Sequence, residues 1–259
     1  MVTCTPVHPE GPRYGASIVY LSGLWVGPQV WLHTATYLAH RGWAGALVDT
    51  RAVRGGIAGR AQAVAEHLRT LVAPPIVVGH DAGALVALAA AARAPVRALV
   101  LVSPLLPGTP TTHALTWSRG LVWSLLRRRA VGPPVGRLGE AFLGEVPAGI
   151  RATVTAEDPR LLADLARRRT IVRPSAMPPT LVLRGARDPL LSRADAADLA
   201  RQLAADHDEL PGGHWLTTAP AARECVHRAH RWLVQRLGEP LLELYAEAMA
   251  EREDGTIED

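Results

Sequence analysis

Short apolar runs alternate with amphipathic stretches along most of the chain. Residues 17–21 (SIVYL) are β-branched and compact and lead into Ser22-Gly23, the pattern of a buried strand entering a turn. Residues 30–39 then repeat apolar positions at helical spacing and stop near Arg41-Gly42. The unit recurs with a strand at 46–48 running into Asp49 and a helix at 58–71 broken by Pro74-Pro75. A strand at 76–78, an Ala-rich helix at 82–92 and a strand at 96–102 closed by Ser103-Pro104 follow. Strand and helix alternating without hairpin turns imply right-handed crossovers, and so a mostly parallel central sheet with helices on both faces.

The alternation lapses between Pro104 and Pro178. Helical patterns at 116–129 and 159–168 are separated by breaks at Gly132-Pro133-Pro134 and Pro147. This stretch reads as a helical insertion over one end of the sheet, a lid. The alternation resumes with a strand at 180–183, a helix at 193–203, a short strand near 208–210 and a helix at 219–237. The expected organisation is an α/β core of residues 1–103 and 179–238, a helical lid at 104–178, and an acidic C-terminal helix and tail at 239–259. Only 16 residues precede Ser17, so one or two opening strands are expected to be missing.

Composition narrows the function classes. Apolar residues make up 48% of the 259 residues and charged residues 20%, enough for a packed core and unlike a disordered chain. All 28 basic residues are Arg, and the formal charge of +4 is weak support for a nucleic-acid partner. The tail holds eight acids and one Arg, leaving 27 Arg against 16 acids elsewhere. The runs Arg127-Arg128-Arg129 and Arg167-Arg168-Arg169 read as solvated faces. Pro6, Pro9 and Pro12 occupy a start with neither a basic nor an apolar signal region, and the longest apolar run, near Ala82, ends at Arg93, short of a membrane span. Cys4 and Cys225 lie at opposite ends of the chain and indicate no disulfide framework. The expectation is a cytoplasmic protein with no nucleic-acid or membrane partner; a homodimer is compatible with it.

Candidate chemistry sits where apolar strands end. Gly79-His80-Asp81-Ala82-Gly83 joins a strand to a helix, the setting of a G-x-nucleophile-x-G elbow. Glycines two before and two after Asp81 leave room for a strained turn and close strand–helix approach. The turn places Asp81 above the carboxyl ends of the strands, with the Ala82 N–H at a helix start aimed at developing negative charge. Asp188 follows the strand at 180–183 within Arg184-Gly185-Ala186-Arg187-Asp188, and His214 lies in Pro211-Gly212-Gly213-His214-Trp215 before the last helix. Their order is nucleophile, acid, base. His80 packs beneath the elbow as a structural residue. Cys225, His227 and His230 lack a carboxylate cluster and make no zinc site. The absence of a glycine-rich phosphate loop implies no nucleotide cofactor.

With elbow, acid and His on these elements, the chain from 17 to 237 resembles the α/β-hydrolase superfamily. Asp at the elbow is similar to haloalkane dehalogenases and soluble epoxide hydrolases rather than serine esterases. A carboxylate is already ionised at pH 7 and attacks an sp³ carbon without a base, leaving an alkyl ester that His214, oriented by Asp188, helps water to hydrolyse. The resemblance implies an oxyanion hole from the backbone N–H groups of Leu24 and Ala82. It implies a small, largely apolar substrate, no cofactor and no metal.

Two features depart from those relatives. Haloalkane dehalogenases usually carry Trp directly after the nucleophile, where this chain has Ala82. Epoxide hydrolases usually polarise the ring with two lid Tyr, whereas the four Tyr here are Tyr14, Tyr20, Tyr37 and Tyr245. Pocket candidates are therefore Trp25, His113, Trp117, Trp123 and Trp215, and an epoxide is favoured slightly over a halide. One alternative keeps the fold but uses Asp81 and His214 as acid and base for a lyase, cyclase or C–C bond step of a biosynthetic pathway. Another is a small-molecule-binding protein without catalysis.

Overall fold

The computed structural model describes residues 2–116, 119–167, 171–218 and 220–238. Seven strands, β1 (Thr3–Val7), β2 (Ile18–Leu21), β3 (Gly45–Asp49), β4 (Ile76–His80), β5 (Ala98–Val102), β6 (Thr180–Gly185) and β7 (Asp206–Leu210), form one sheet in the order β1-β3-β2-β4-β5-β6-β7. Every neighbouring pair is parallel except β1 and β3. The central strands β2, β4, β5 and β6 are buried along their whole length, which is why they read as continuous apolar runs.

One strand, β1, precedes β2 within the opening residues, where the sequence shows no strand pattern. It pairs antiparallel with β3, Thr3 opposite Asp49 and Val7 opposite Gly45. Its residues are exposed or half-buried and include Pro6, which an edge strand tolerates. With no apolar run and a Pro in its middle, it carries no strand signal.

Helices α1 (Leu32–His40), α2 (Gly56–Leu68) and α3 (Ala82–Ala91) follow β2, β3 and β4; α9 (Arg193–Leu203) and α10 (Ala222–Leu237) follow β6 and β7. α1 packs with α10 and α2 with α3. α3 is buried from Ala82 to Ala90, and its small residues let the backbone approach β2 closely. A Cβ on Gly83 would stand 2.5 Å from Ser22 O and 2.6 Å from Leu21 O.

Between β5 and β6 lie α4 (Pro110–Thr116), α5 (Arg119–Arg127), α6 (Gly136–Leu143), α7 (Ala148–Arg151) and α8 (Pro159–Ala166). The helix read at 116–129 is instead the end of α4 followed by α5, with residues 117–118 outside the described ones. The helix read at 159–168 stops at Ala166, because Arg167 is extended. α4, α6 and α7 carry too few turns between Pro and Gly to show a period. The segment 239–259 lies outside the described residues. Among the described residues, no helix is long and apolar enough to cross a membrane.

The packing of α3 on β2 gives a stability test. Gly83→Ala is expected to cost about 2 kcal/mol or more, because backbone rather than a flexible side chain must give way. Gly132→Ala, where an added Cβ meets nothing within 4 Å, should stay within about 0.5 kcal/mol in the same urea titrations.

Candidate active site

The elbow is a strained turn held by the sheet. Asp81 joins β4 to α3 at φ 56°, ψ −125°, a conformation that costs a non-glycine residue on the order of 1–3 kcal/mol. Its N–H donates to Val102 O (3.1 Å), and its carbonyl accepts from Ala84 N (3.2 Å) and Leu105 N (3.3 Å). A Cβ on Gly79 would lie 2.6 Å from Gly83 O and 2.7 Å from Ala84 Cα, so glycine is required for the chain to double back this tightly.

Sheet order then supplies the partner of the side chain. β2 lies beside β4 with Leu21 opposite Gly79, so the loop after β2 runs next to the elbow. Leu24 N–H donates to Asp81 Oδ2 at 2.8 Å. The preceding residue must be glycine, because a Cβ there would stand 2.2 Å from Asp81 Oδ2. The Ala82 N–H, at the head of α3, also favours the ionised carboxylate. Burial pushes the Asp81 carboxyl up to about 6, outweighing the lowering by the His214 charge and the two N–H groups. Asp81 Oδ1 is buried and bonds no protein group.

The other two residues arrive from the next strands. His214, after β7, places Nδ1 at 3.1 Å from both carboxylate oxygens of Asp188, which follows β6. Asp188 Oδ1 also accepts from Leu190 N (2.8 Å) and Leu191 N (3.1 Å). Burial alone would raise the Asp188 carboxyl, but the His214 charge and these donors hold it below its ordinary range. Burial alone would lower His214, yet the charge and hydrogen bond of Asp188 raise it above the ordinary imidazole value. With Nδ1–H donated to Asp188, Nε2 is the acceptor nitrogen, and it too is buried with no protein partner.

An aromatic shell surrounds this group. His80, pushed down to about 3 by burial and so neutral, donates Nε2–H to His214 O at 3.0 Å. Its ring centroid lies 4.7 Å from that of Trp215 and 6.4 Å from that of Trp31. Trp215 is buried and its indole N–H bonds Phe142 O. Phe142, the chain's single Phe, packs against Trp25 (5.3 Å), Trp215 (5.5 Å) and His214 (5.7 Å).

The structure thus brings together Asp81, Asp188, His214, Leu24, Ala82, Trp25 and Trp215. Trp123 departs from the expected pocket wall: it is 60% exposed, with the Arg127 guanidinium 5.0 Å above its ring. On α5 the buried residue is Leu121, and a residue two positions further points to the opposite side of a helix. His113 lies on an exposed part of α4, and Trp117 lies outside the described residues. His227 and His230 pack on Tyr37, and among the described residues no group of three metal-ligating side chains converges.

Three charged residues near the site escaped the sequence reading. Glu157 forms a buried ion pair with Arg60 and accepts from Trp25 N–H at 3.3 Å. Glu145 accepts from Trp215 N–H at 3.3 Å and adds to the rise of His214. Arg60 and Glu157 are separated by 97 positions, and Glu157 precedes Asp158-Pro159, where an acid reads as part of a helix start.

A sequence model of the alpha/beta hydrolase family matches residues 18–224, and the chain belongs to that family. A monoacylglycerol lipase from Paleococcus ferrophilus has TM-score 0.69 at 16% identity, over 91% of this chain and 99% of that one. An esterase from Exiguobacterium antarcticum has TM-score 0.67 at 15% identity, over 90% and 95%. An enol-lactonase from Burkholderia xenovorans has TM-score 0.64 at 20% identity, over 90% and 96%. These likenesses establish the fold. The search of curated proteins returned no match.

The coupled pair is testable by titration. The imidazole of His214 should titrate above 6.5 in NMR spectra, and Asp188→Asn should bring it down. A raised His contributes stability below its unfolded value of 6.5, lost as pH rises through the folded value. A depressed Asp contributes above 3.8, lost as pH falls. The stability difference between the native protein and Asp188→Asn should therefore peak between those two values.

Proposed function

We propose that the protein is a cofactor-independent hydrolase that forms an alkyl ester on Asp81, from an epoxide or a carbon–halogen compound. The carrying observation is that Asp81 Oδ2 rests on the Leu24 N–H while Oδ1 has no protein partner. Oδ1 is then the attacking atom, and Oδ2 becomes the carbonyl oxygen of the ester, already seated on the Leu24 N–H.

The two steps follow from that division. Oδ1 forms a bond to the substrate carbon as the carbon–halogen or carbon–oxygen bond breaks, and the leaving electrons go to halide or to the ring oxygen. His214 Nε2 next takes a proton from water, whose oxygen attacks Asp81 Cγ. Negative charge collects on Oδ2, where Leu24 N–H and Ala82 N–H stabilise it. Collapse breaks the ester bond as the leaving alcohol oxygen takes the proton from His214; the second proton of the water leaves Asp81, restoring the carboxylate, and goes to the opened ring oxygen of an epoxide or to solvent. An epoxide takes up one water to give a diol; an alkyl halide gives alcohol, halide and a proton. Attack of Asp81 on an acyl carbon would instead give a labile anhydride, which argues against ester substrates. The rings of Trp25, Phe142 and Trp215 favour an apolar substrate, with the insertion 104–178 acting as a lid.

A second reading rests on the carboxyl of Asp81 lying near 6: such a group donates and accepts protons near neutrality, as a lyase or cyclase step requires. Isotope placement separates the two. Single turnover in ¹⁸O-water should label Asp81 under the ester mechanism, and label confined to product would overturn it. His214→Ala should accumulate a covalent mass on the 79–83 peptide while turnover falls by about 10²–10⁴-fold. Asp81→Asn should show no adduct. Because attack needs the carboxylate, adduct formation should rise with pH, reach half its maximum near pH 6, and fall about tenfold per unit below that.

A further inference from the structure

We propose that Glu157, in the insertion, is a positioning residue that holds Trp25 in place and thereby keeps the Leu24 N–H on Asp81. The catalytic consequence rests on the reading of Asp81 as nucleophile; the structural claim stands on the hydrogen bonds alone.

Trp25 is the residue that most needs holding. It sits at φ 61°, and Val26 N–H donates to Leu24 O at 2.7 Å across it. That is a three-residue turn in the strained positive-φ form, which a bulky residue occupies only when its surroundings insist. The Leu24 N–H that meets Asp81 belongs to this turn, so its direction depends on how Trp25 is fixed.

All three polar groups of Trp25 bond to the insertion. Its N–H donates to Glu157 Oε2 (3.3 Å), its carbonyl accepts from Thr155 N (2.9 Å), and its indole N–H donates to Val131 O (3.0 Å). Val131 and Glu157 are tied to each other by reciprocal backbone bonds of 2.9 and 2.8 Å. Of these three bonds from the insertion, the one from Glu157 is made by a charged side chain. Its carboxylate is fixed on the other side by both terminal nitrogens of Arg60 on α2 and by Asp158 N–H (3.1 Å). Glu157 is 1% and Arg60 2% exposed, so the acceptor offered to Trp25 is rigid and shielded from water. The insertion, α2 and the loop after β2 thus meet through one carboxylate.

Removing Glu157 alone would strand a buried Arg, so the test replaces the pair. Arg60→Met with Glu157→Gln keeps an oxygen for Trp25 N–H; Arg60→Met with Glu157→Met removes it, and both variants drop the buried charges. Hydrogen exchange of the 22–26 segment is expected to be about tenfold faster in the Met/Met variant than in the Met/Gln variant. With styrene oxide as probe, kcat should fall about tenfold or more between them while KM stays within about threefold. Asp158→Ala serves as the control for docking of the insertion: Asp158 binds Gly55 N and Gly56 N without touching Trp25. Equal exchange in the two Met variants would overturn the proposal, as would equal acceleration at 22–26 in Asp158→Ala. If the native protein does not turn over styrene oxide, that counts against the epoxide reading, and the exchange comparison alone decides the role of Glu157.

Discussion

The hydrogen bond from Leu24 N–H to the Asp81 carboxylate joins the two loops on which the rest of the site is built. It exists because β2 and β4 are neighbours in register, and because glycines at 23, 79 and 83 let backbone and carboxylate approach to distances a Cβ would forbid. A side chain at any of the three would force either the strand–helix turn or the loop after β2 outward. The positive φ of Asp81 is the local price of this arrangement, and bonds to Val102, Ala84 and Leu105 hold the residue there.

Two aspartates in one site are driven in opposite directions by their surroundings. Asp81 is enclosed by apolar and aromatic groups, and burial pushes it up to about 6 despite its backbone donors. Asp188 is nearly as enclosed, yet two backbone N–H groups and the imidazole of His214 hold it down. Pairs of carboxylates separated in this way divide their tasks: one stays ionised to orient and support the imidazole, and the other faces the reacting atom. His214 stands between them, its Nδ1 committed to Asp188 and its Nε2 free of protein partners.

The insertion contributes more than cover. Phe142 packs on His214, Trp25 and Trp215 together, Glu145 reaches Trp215 N–H, and Glu157 reaches Trp25 N–H. The two carboxylates land on Trp25 and Trp215, the residues directly after Leu24 and His214, while Phe142 packs on His214 itself. Both the loop carrying His214 and the loop after β2 are thereby braced from the same segment, while Asp81 Oδ1 and His214 Nε2 have no protein partner.

Local order along the chain was enough to place Asp81 and Asp188, because each follows a strand with an unmistakable apolar run, and His214, because Pro211, Gly212 and Gly213 mark a turn before the last helix. Parallel pairing of β2 through β7 followed from the same alternation. β1 was not legible, since an exposed edge strand with a Pro has no burial pattern to display. Nor were the short helices α4, α6 and α7, which are held by packing rather than by their own period. The outward turn of Trp123 was decided by which face of α5 Leu121 buries. Arg60, Glu145, Phe142 and Glu157 became part of the site only through contacts between distant segments. A strand or an elbow is specified by residues a few positions apart, whereas a buried ion pair spanning 97 positions has no local signature and exists only once the chain has closed around it.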